Sequence, residues 1–264
     1  MRPLDILKGT LRPYGGPGVT PFVILFLPRT GSNYLASMLD THDDILCHHE
    51  IFLPGSIHRS LSVREGTLEM DLGRPEERDS DPIAFLRRVL AMNAGFRAVG
   101  FKLSLADPRR SLIASLVLNR SVRKIVVRRD NWLQVYTSAL IAEQTNKFLE
   151  FADERDTHPG DTVRVNVDTN QFVRYARKRR IAYRALGAML RATGQPFIEV
   201  EYRDIQEPEK VRQVLRFLGV DGTVALRART TKQNPNRLAD RIENWGDVST
   251  RLRGTRYASL LEQD

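Results

Sequence analysis

The stretch that decides the fold is FVILFLPRTGSNY, residues 22–34. Its first six residues are all apolar and partly β-branched, which predicts a strand buried on both faces. Pro28 ends that strand, and a polar turn through residues 30–32 leads into a helix predicted from Asn33 to Leu39. A buried strand, a tight polar turn and a helix in this order are typical of the start of an α/β fold.

Outward from this stretch, strands and helices are predicted to alternate. This favours a single α/β domain with a central, mostly parallel sheet and helices on both faces. We place that domain at residues 21–264, after a flexible N-terminal segment, 1–20, that is rich in Gly and Pro. The further strands are predicted at 98–103, 122–128 and 197–202, and the further helices near 82–92, 108–118, 131–151 and 168–193.

Segment 54–81 has a different composition from the rest of the chain. It contains three glycines, two prolines, few apolar residues and many charges of both signs. Long loops of this kind are either disordered or functional lids. Because the segment directly follows a candidate site, we interpret it as a lid over the acceptor.

Composition and charge set limits on the function. The 264 residues include 41 Lys and Arg against 32 Asp and Glu, a formal net charge of +9. This charge attracts anions without choosing among nucleic acid, membrane, nucleotide and sulfated product. Cys47 is the only cysteine, so an intrachain disulfide is excluded. Residues 1–20 lack the apolar core of a signal peptide, and no apolar run could span a bilayer, which predicts a cytoplasmic protein without a transmembrane segment.

The turn after the first strand predicts an anion site. A helix N-terminus exposes unpaired N–H groups and a partial positive charge, which suit a phosphate. Gly31 lets the backbone approach a ligand closely, and Arg29 adds a cation. Thr30 and Ser32 add hydroxyl donors. The turn lacks the Gly-Lys-Ser/Thr ending of a Walker A loop, which disfavours ATP chemistry; a capped turn without a ligand is the alternative interpretation.

A second basic pattern follows the strand predicted at 122–128. Arg129 would lie at the carboxyl end of that strand, where open α/β sheets bind ligands. Asp130 is a candidate N-cap for the next helix, and Thr137 lies about two turns along it. A cation and a hydroxyl so placed suit a second phosphate, whereas an exposed arginine pair is the alternative.

Together the two patterns resemble the donor motifs of sulfotransferases that use PAPS (3′-phosphoadenosine-5′-phosphosulfate). Residues 28–32 resemble the 5′-phosphosulfate loop, and the two residues that follow, Asn33 and Tyr34, are also assigned to the donor. Arg129 matches the arginine of the 3′-phosphate motif, in which a serine follows eight positions later. Thr137 stands there in this chain with Ser138 beside it, and the choice between them is left open. The resemblance implies PAPS as donor, bisphosphoadenosine (PAP) as product, no metal, and the nucleotide-kinase-like sulfotransferase fold.

The segment around HHE, residues 48–50, resembles the acceptor side of the same family. It is similar to the corresponding segment of tyrosylprotein sulfotransferases and of the bacterial lipooligosaccharide and trehalose branch, where a glutamate is the general base. Glu50 matches that glutamate, and an acceptor alcohol needs a base to take its proton. His48 and His49 are alternatives because imidazole titrates near neutrality. We expect His48 to face the crevice beside Glu50, and metal binding or a Cys47 nucleophile are weaker interpretations.

Two more segments resemble the bacterial carbohydrate branch. Lys102, in a Gly-Phe-Lys element, is thereby placed near the transferred sulfate, with a solvated strand end as the alternative. A C-terminal element implied to close over the donor comprises Lys232, Gln233 and Asn234, followed by residues 241–245.

The helix predicted at 168–193 carries an apolar stripe and a run of charges. We interpret the charged residues as a solvated face rather than a nucleic-acid surface, because no stacking aromatics accompany them. These charges are Arg174, Arg177, Lys178, Arg179, Arg180 and Arg184.

The function predicted from the resemblance is transfer of a sulfuryl group from PAPS to an acceptor hydroxyl. The partners implied are a carbohydrate or glycolipid alcohol and no nucleic acid, while homo-oligomerisation is left open. Two alternatives are a P-loop-like nucleotide kinase, which would depend on magnesium, and a non-catalytic basic module that binds polyanions.

Overall fold

The central feature of the fold is a parallel five-stranded sheet. The computed structural model describes residues 13–92, 94–146, 163–227 and 237–262. The strand order is β2-β3-β1-β4-β5, and every pairing is parallel. The predicted fold class, an α/β domain with a central parallel sheet, is therefore confirmed. The strands are β1 (Thr20–Phe26), β2 (Ile45–His48), β3 (Ala98–Ser104), β4 (Arg123–Arg128) and β5 (Phe197–Glu201).

Helices cover both faces of the sheet. Those before β4 are α1 (Ser32–Leu39), α2 (Leu61–Arg64), α3 (Pro75–Ser80), α4 (Pro82–Ala91) and α5 (Arg110–Val117). After β4 come α6 (Trp132–Thr145), α7 (Thr169–Ala192), α8 (Pro208–Leu218), α9 (Leu238–Arg241) and α10 (Trp245–Arg253). Short 3₁₀ helices lie at Tyr202–Gln206 and Ala258–Leu261. The helices predicted from sequence are α1, α4, α5, α6 and α7.

Alternation along β1 divides the core into two layers. Val23 and Leu25 pack against α4, α5 and the second half of α7, whereas Phe22 and Ile24 pack against α1 and α8. Successive strand residues point to opposite faces, so an unbroken apolar run serves both layers. A third cluster joins α6, the first half of α7 and α10.

Strand β2 was not predicted, although it positions a candidate site. Its four residues are fully buried and pair with β3, where Cys47 lies opposite Gly100. A Cβ at Gly100 would collide with Phe22 of β1, so the close approach of these two strands requires glycine. The run Ile45-Leu46-Cys47-His48 is short and ends in a polar residue. Its strand character therefore comes from the pairing with β3 rather than from its own periodicity.

The N-terminal segment 1–20 contradicts the expectation of flexibility in its described part, residues 13–20. Tyr14 is buried in the core, and its backbone N–H donates to Ser121 Oγ at 2.9 Å. Thr20 already belongs to β1. A single aromatic ring buried against α4 and α5 is enough to fix this stretch, because burying such a ring contributes about 1.5–3 kcal/mol. Residues 1–12 lie outside the described residues.

Segment 54–81 is held to the domain more firmly than its composition suggested. Leu61 and Leu72 are buried, and the carboxylate of Asp40 accepts from the Ser62 N–H at 3.1 Å. Arg78 is fully buried and donates to the carbonyls of Ile51 and Leu53 at 3.0 and 2.8 Å. The composition therefore underestimates how firmly the segment is held, because one buried arginine satisfies several backbone carbonyls at once. The lid function stays a prediction, which slower hydrogen exchange on binding donor and acceptor together would support.

A buried lysine in β4 predicts a pH-dependent stability. The ammonium of Lys124 is fully buried and donates to Asn119 O and Gln195 Oε1 at 2.6 and 2.8 Å. Burial lowers its pKa to about 7, well below the usual value for lysine. Between that pKa and the ordinary one the unfolded chain binds more protons, so stability rises with pH. We expect Lys124 to contribute a rise of about 1 kcal/mol to the free energy of unfolding between pH 7 and 8.

The matched variant is Lys124→Met, which keeps the length of the side chain and removes the titrating group. Urea unfolding at several pH values would measure both proteins. The variant is expected to lack the rise seen in the wild type. Parallel stability profiles for the two proteins would contradict this prediction.

No helix in the described ranges combines the length and the apolar character that crossing a bilayer requires.

Candidate functional site

Every strand of the sheet delivers a chemically useful residue to the same edge. Because the strands are parallel, their carboxyl ends meet there, and open α/β sheets bind ligands at that edge. In spatial order from β2 to β5, these residues are Glu50, Lys102, the turn 28–32, Arg129 and Tyr202; Lys102 lies two residues before the end of β3, and the others follow their strands. The sequence predicted all of these except Tyr202.

The turn between β1 and α1 has two residues in the left-handed region. Gly31 has φ 82°, which glycine adopts readily, and Arg29 has φ 68°, which is costly for a residue with a side chain. The hydroxyl of Thr30 donates to Leu27 O at 2.9 Å, so it stabilises the turn itself. Ser32 is buried at the first position of α1. The Thr30 hydroxyl is thus used within the turn, and the role of the turn in donor binding stays a prediction.

Tyr202 explains why position 31 is a glycine. A Cβ there would collide with the tyrosine ring. The guanidinium of Arg129 stacks over the same ring, 4.5 Å from the ring centroid. Tyr34 lies nearby, since burial and Tyr202 both raise its pKa. One aromatic ring therefore joins the β1 turn to the arginine after β4. Its position, directly after the last strand, was the available signal in the sequence.

Two arginines from different strands lie close together at this edge. Arg29 donates through Nε and Nη2 to Ser138 Oγ of α6, at 3.0 and 2.9 Å. Arg129 donates to Gln134 Oε1 at 2.8 Å, and the described residues offer it no carboxylate at salt-bridge distance. Burial lowers the pKa of both groups, and the charge of Arg129 lowers the pKa of Arg29 further. Two positive charges that lie close together and are partly shielded from solvent favour an anionic ligand.

Thr137 and Ser138 of α6, the two candidate hydroxyls for the 3′-phosphate, have different surroundings. Ser138 Oγ contacts Arg29, whereas Thr137 is fully buried and its hydroxyl meets no hydrogen-bond partner in the described part of the chain. Both residues lie on the buried side of α6. A buried polar atom without a partner is uncommon, and a ligand oxygen at the arginine pair would suit either hydroxyl.

Glu50 forms the second half of the site with Lys102 and Asn33. The ammonium of Lys102 lies 3.2 Å from Glu50 Oε1 and also donates to Asn33 Oδ1. Lys102 is almost fully buried, and burial lowers its pKa while Glu50 opposes that shift. The Glu50 side chain is 29% exposed, so it stays open to an acceptor. Lys102 is therefore not a solvated strand end.

The two histidines that precede Glu50 are both buried. His48 is the last residue of β2, is fully buried, and accepts from the Ser60 N–H through Nδ1 at 3.1 Å. Burial lowers its pKa to about 3. His49 is also buried, with its pKa well below the ordinary value for the same reason. The expected exposure of His48 to the crevice beside Glu50 is corrected, because pairing with β3 encloses this strand.

Helix α7 contributes residues that sequence reasoning missed. Arg179 was assigned to the solvated charge run, yet it is buried and donates through Nη2 to Pro28 O at 2.7 Å. The available signal was spacing, since Arg179 lies four residues from both Tyr175 and Tyr183 and so shares their face. Arg177 and Lys178 are exposed as expected.

The C-terminal element that was predicted to close over the donor is described only in part. Lys232, Gln233 and Asn234 lie outside the described residues. In residues 241–245, Ile242 is fully buried and Trp245 packs on the third core cluster. Where the structure describes the chain, no three His, Cys, Asp or Glu residues group as metal ligands.

Two known proteins are similar in sequence over nearly the whole chain. No family model matches it. Nodulation protein H of Rhizobium tropici is 26% identical over 257 residues, covering 94% of this chain and 95% of that protein. Nodulation protein H of Rhizobium meliloti (strain 1021) is 26% identical over 250 residues, covering 92% and 95%.

Two solved structures are also similar. A sulfotransferase from Alicyclobacillus acidocaldarius has a TM-score of 0.42 at 18% identity, covering 92% of this chain and 96% of its own. Sulfotransferase STF9 from Mycobacterium avium has a TM-score of 0.43 at 11% identity, covering 83% and 66%.

The predicted resemblance to sulfotransferases is confirmed by the sequence matches, which cover 94% and 92% of this chain. They support the lipo-oligosaccharide branch of that family.

Proposed function

We propose that this protein transfers the sulfuryl group of PAPS to a hydroxyl of a carbohydrate or glycolipid acceptor. The observation that carries the proposal is one edge of the sheet that bears both a pair of partly buried arginines and a partly exposed carboxylate bound by a lysine. Cations suit the phosphates of a nucleotide, and the carboxylate suits an alcohol that must lose a proton.

The donor fits the residues present at this edge. The 5′-phosphosulfate would lie on the β1 turn, where backbone N–H groups at the start of α1 and the Arg29 guanidinium favour negative charge. The 3′-phosphate would lie at Arg129 with Ser138 or Thr137. The buried Thr137 hydroxyl without a partner among the described residues supports this fit.

The chemical step follows from the positions of Glu50 and Lys102. Glu50 takes the proton of the acceptor hydroxyl while the acceptor oxygen forms its bond to sulfur. The bond between sulfur and the bridging phosphate oxygen breaks, and bisphosphoadenosine leaves. Lys102 and Arg29, fixed before the reaction by burial and hydrogen bonds, stabilise charge on the sulfuryl and leaving oxygens.

The acceptor class is proposed from the similarity to nodulation protein H and the branch it supports. A carbohydrate hydroxyl fits the partly exposed Glu50, since its attacking oxygen must reach the carboxylate from solvent.

The test is transfer of ³⁵S from labelled PAPS into a panel of glycans, glycolipids and small alcohols, with and without magnesium. We expect label in a carbohydrate-containing acceptor without added magnesium. Transfer from ATP that requires magnesium would instead support a kinase. Binding of polyanions in general, with no preference for bisphosphoadenosine and no transfer, would support a non-catalytic module.

A further inference from the structure

One face of α7 forms hydrogen bonds with the backbone of the turn that follows β1. Tyr175, Arg179 and Tyr183 are spaced four residues apart, which places them on one face of a helix; we name these three residues the α7 stripe. The Tyr183 hydroxyl accepts from the Leu27 N–H at 3.0 Å and donates to Val127 O at 2.8 Å. One helical turn earlier, Arg179 donates to Pro28 O at 2.7 Å.

The backbone of this turn has a strained conformation that needs support from its surroundings. Arg29 has φ 68°, directly after the carbonyl that Arg179 binds, and Gly31 has φ 82°. A non-glycine residue in the left-handed region persists only where the surroundings hold it there. The α7 stripe contacts the two groups that lead into this strained residue, the Leu27 N–H and the Pro28 carbonyl.

The stripe also brings a third cation to the donor edge. Arg179 is 7% exposed, and its guanidinium lies 4.5 Å from the centroid of the Tyr175 ring. In the described ranges it forms no salt bridge to a carboxylate. The Tyr175 hydroxyl is close enough to Arg29 and Arg179 that both charges lower its pKa against the rise caused by burial. A buried guanidinium bonded to a neutral carbonyl keeps its charge available to a nearby anion.

We propose that the α7 stripe is a positioning device for donor binding. Arg179 and Tyr183 hold residues 27–31 in the conformation that receives the 5′-phosphosulfate, and Arg179 adds charge that attracts it. Neither residue is assigned contact with the reacting atoms. The inference rests on the proposed donor, so its test needs one readout that requires no donor.

The experiment combines hydrogen exchange of the peptide spanning 27–32 in the free protein with calorimetric binding of bisphosphoadenosine. Arg179→Gln is expected to speed exchange there and weaken binding about ten- to a hundredfold, the range for a lost charge-assisted contact. Tyr183→Phe changes no charge and is expected to speed exchange and weaken binding about three- to tenfold, the range for a lost neutral hydrogen bond. Thermal unfolding of each variant establishes that it folds.

The matched control is Arg177→Gln, which removes the same charge from the exposed face of the same helix. It is expected to leave exchange and affinity within about twofold of the wild type, because an exposed charge contributes little. Weaker binding in Arg179→Gln with unchanged exchange would overturn the positioning role, leaving charge alone. Faster exchange with unchanged affinity would overturn the link to the donor. If the wild type binds no bisphosphoadenosine, the proposed donor is wrong, while the exchange rates still decide whether the stripe holds the turn.

Discussion

Glu50→Gln is expected to lower turnover about 10²–10⁴-fold, the usual contribution of a general base. Glutamine keeps nearly the same shape and can still accept a hydrogen bond from Lys102, but it cannot take the proton of the acceptor. Because Glu50 lies at the β2 and β3 side of the site and the arginines lie after β1 and β4, the affinity for bisphosphoadenosine should stay almost unchanged. Steady-state kinetics with the identified acceptor and calorimetry with bisphosphoadenosine measure the two quantities.

The control variants for this prediction are the neighbouring histidines. His48 is buried and hydrogen-bonded to Ser60, so His48→Ala is expected to lower stability through lost packing rather than to remove a base. His49→Ala is expected to have the same kind of effect, since His49 is also buried. Near-normal turnover in Glu50→Gln, with turnover abolished in a folded His48→Ala, would make the histidine the base and contradict our assignment.

Arg129→Ala is expected to weaken the binding of bisphosphoadenosine by about ten- to a hundredfold. The guanidinium lies against Tyr202 and is held by Gln134, so it is fixed in place before the nucleotide arrives. Removing it should lower affinity with little effect on the chemical step at Glu50. Calorimetry at constant ionic strength measures the change.

Arg128→Ala is the matched control, because it removes the same charge from the adjacent residue. Arg128 points outward and pairs with Glu199 at 2.9 Å and Asp130 at 3.5 Å. Its loss should change affinity only slightly, since exposed ion pairs contribute about 0–1 kcal/mol. Equal affinities in folded Arg129→Ala and in the wild type would place the 3′-phosphate elsewhere.

Local sequence was sufficient for β1, its turn and α1. An unbroken apolar run, a proline and a glycine turn each restrict the backbone through neighbouring residues alone, so β1 and α1 form close to the predicted bounds. The same holds for β3, β4 and β5, and for the long helices. Parallel pairing then carries Glu50, Arg29 and Arg129 to one edge, which is why the sequence could predict residues of one site far apart in the chain.

The sequence did not determine which polar side chains would be enclosed. Arginine is usually exposed and histidine is intermediate, yet the β1 turn encloses Arg179 and a neighbouring strand encloses His48. Likewise, Thr137 and Ser138 are adjacent hydroxyls, and only the placement of α6 against the β1 turn brings Ser138 to Arg29. Burial depends on what packs against a residue from distant parts of the chain, so these outcomes were decided by the tertiary structure.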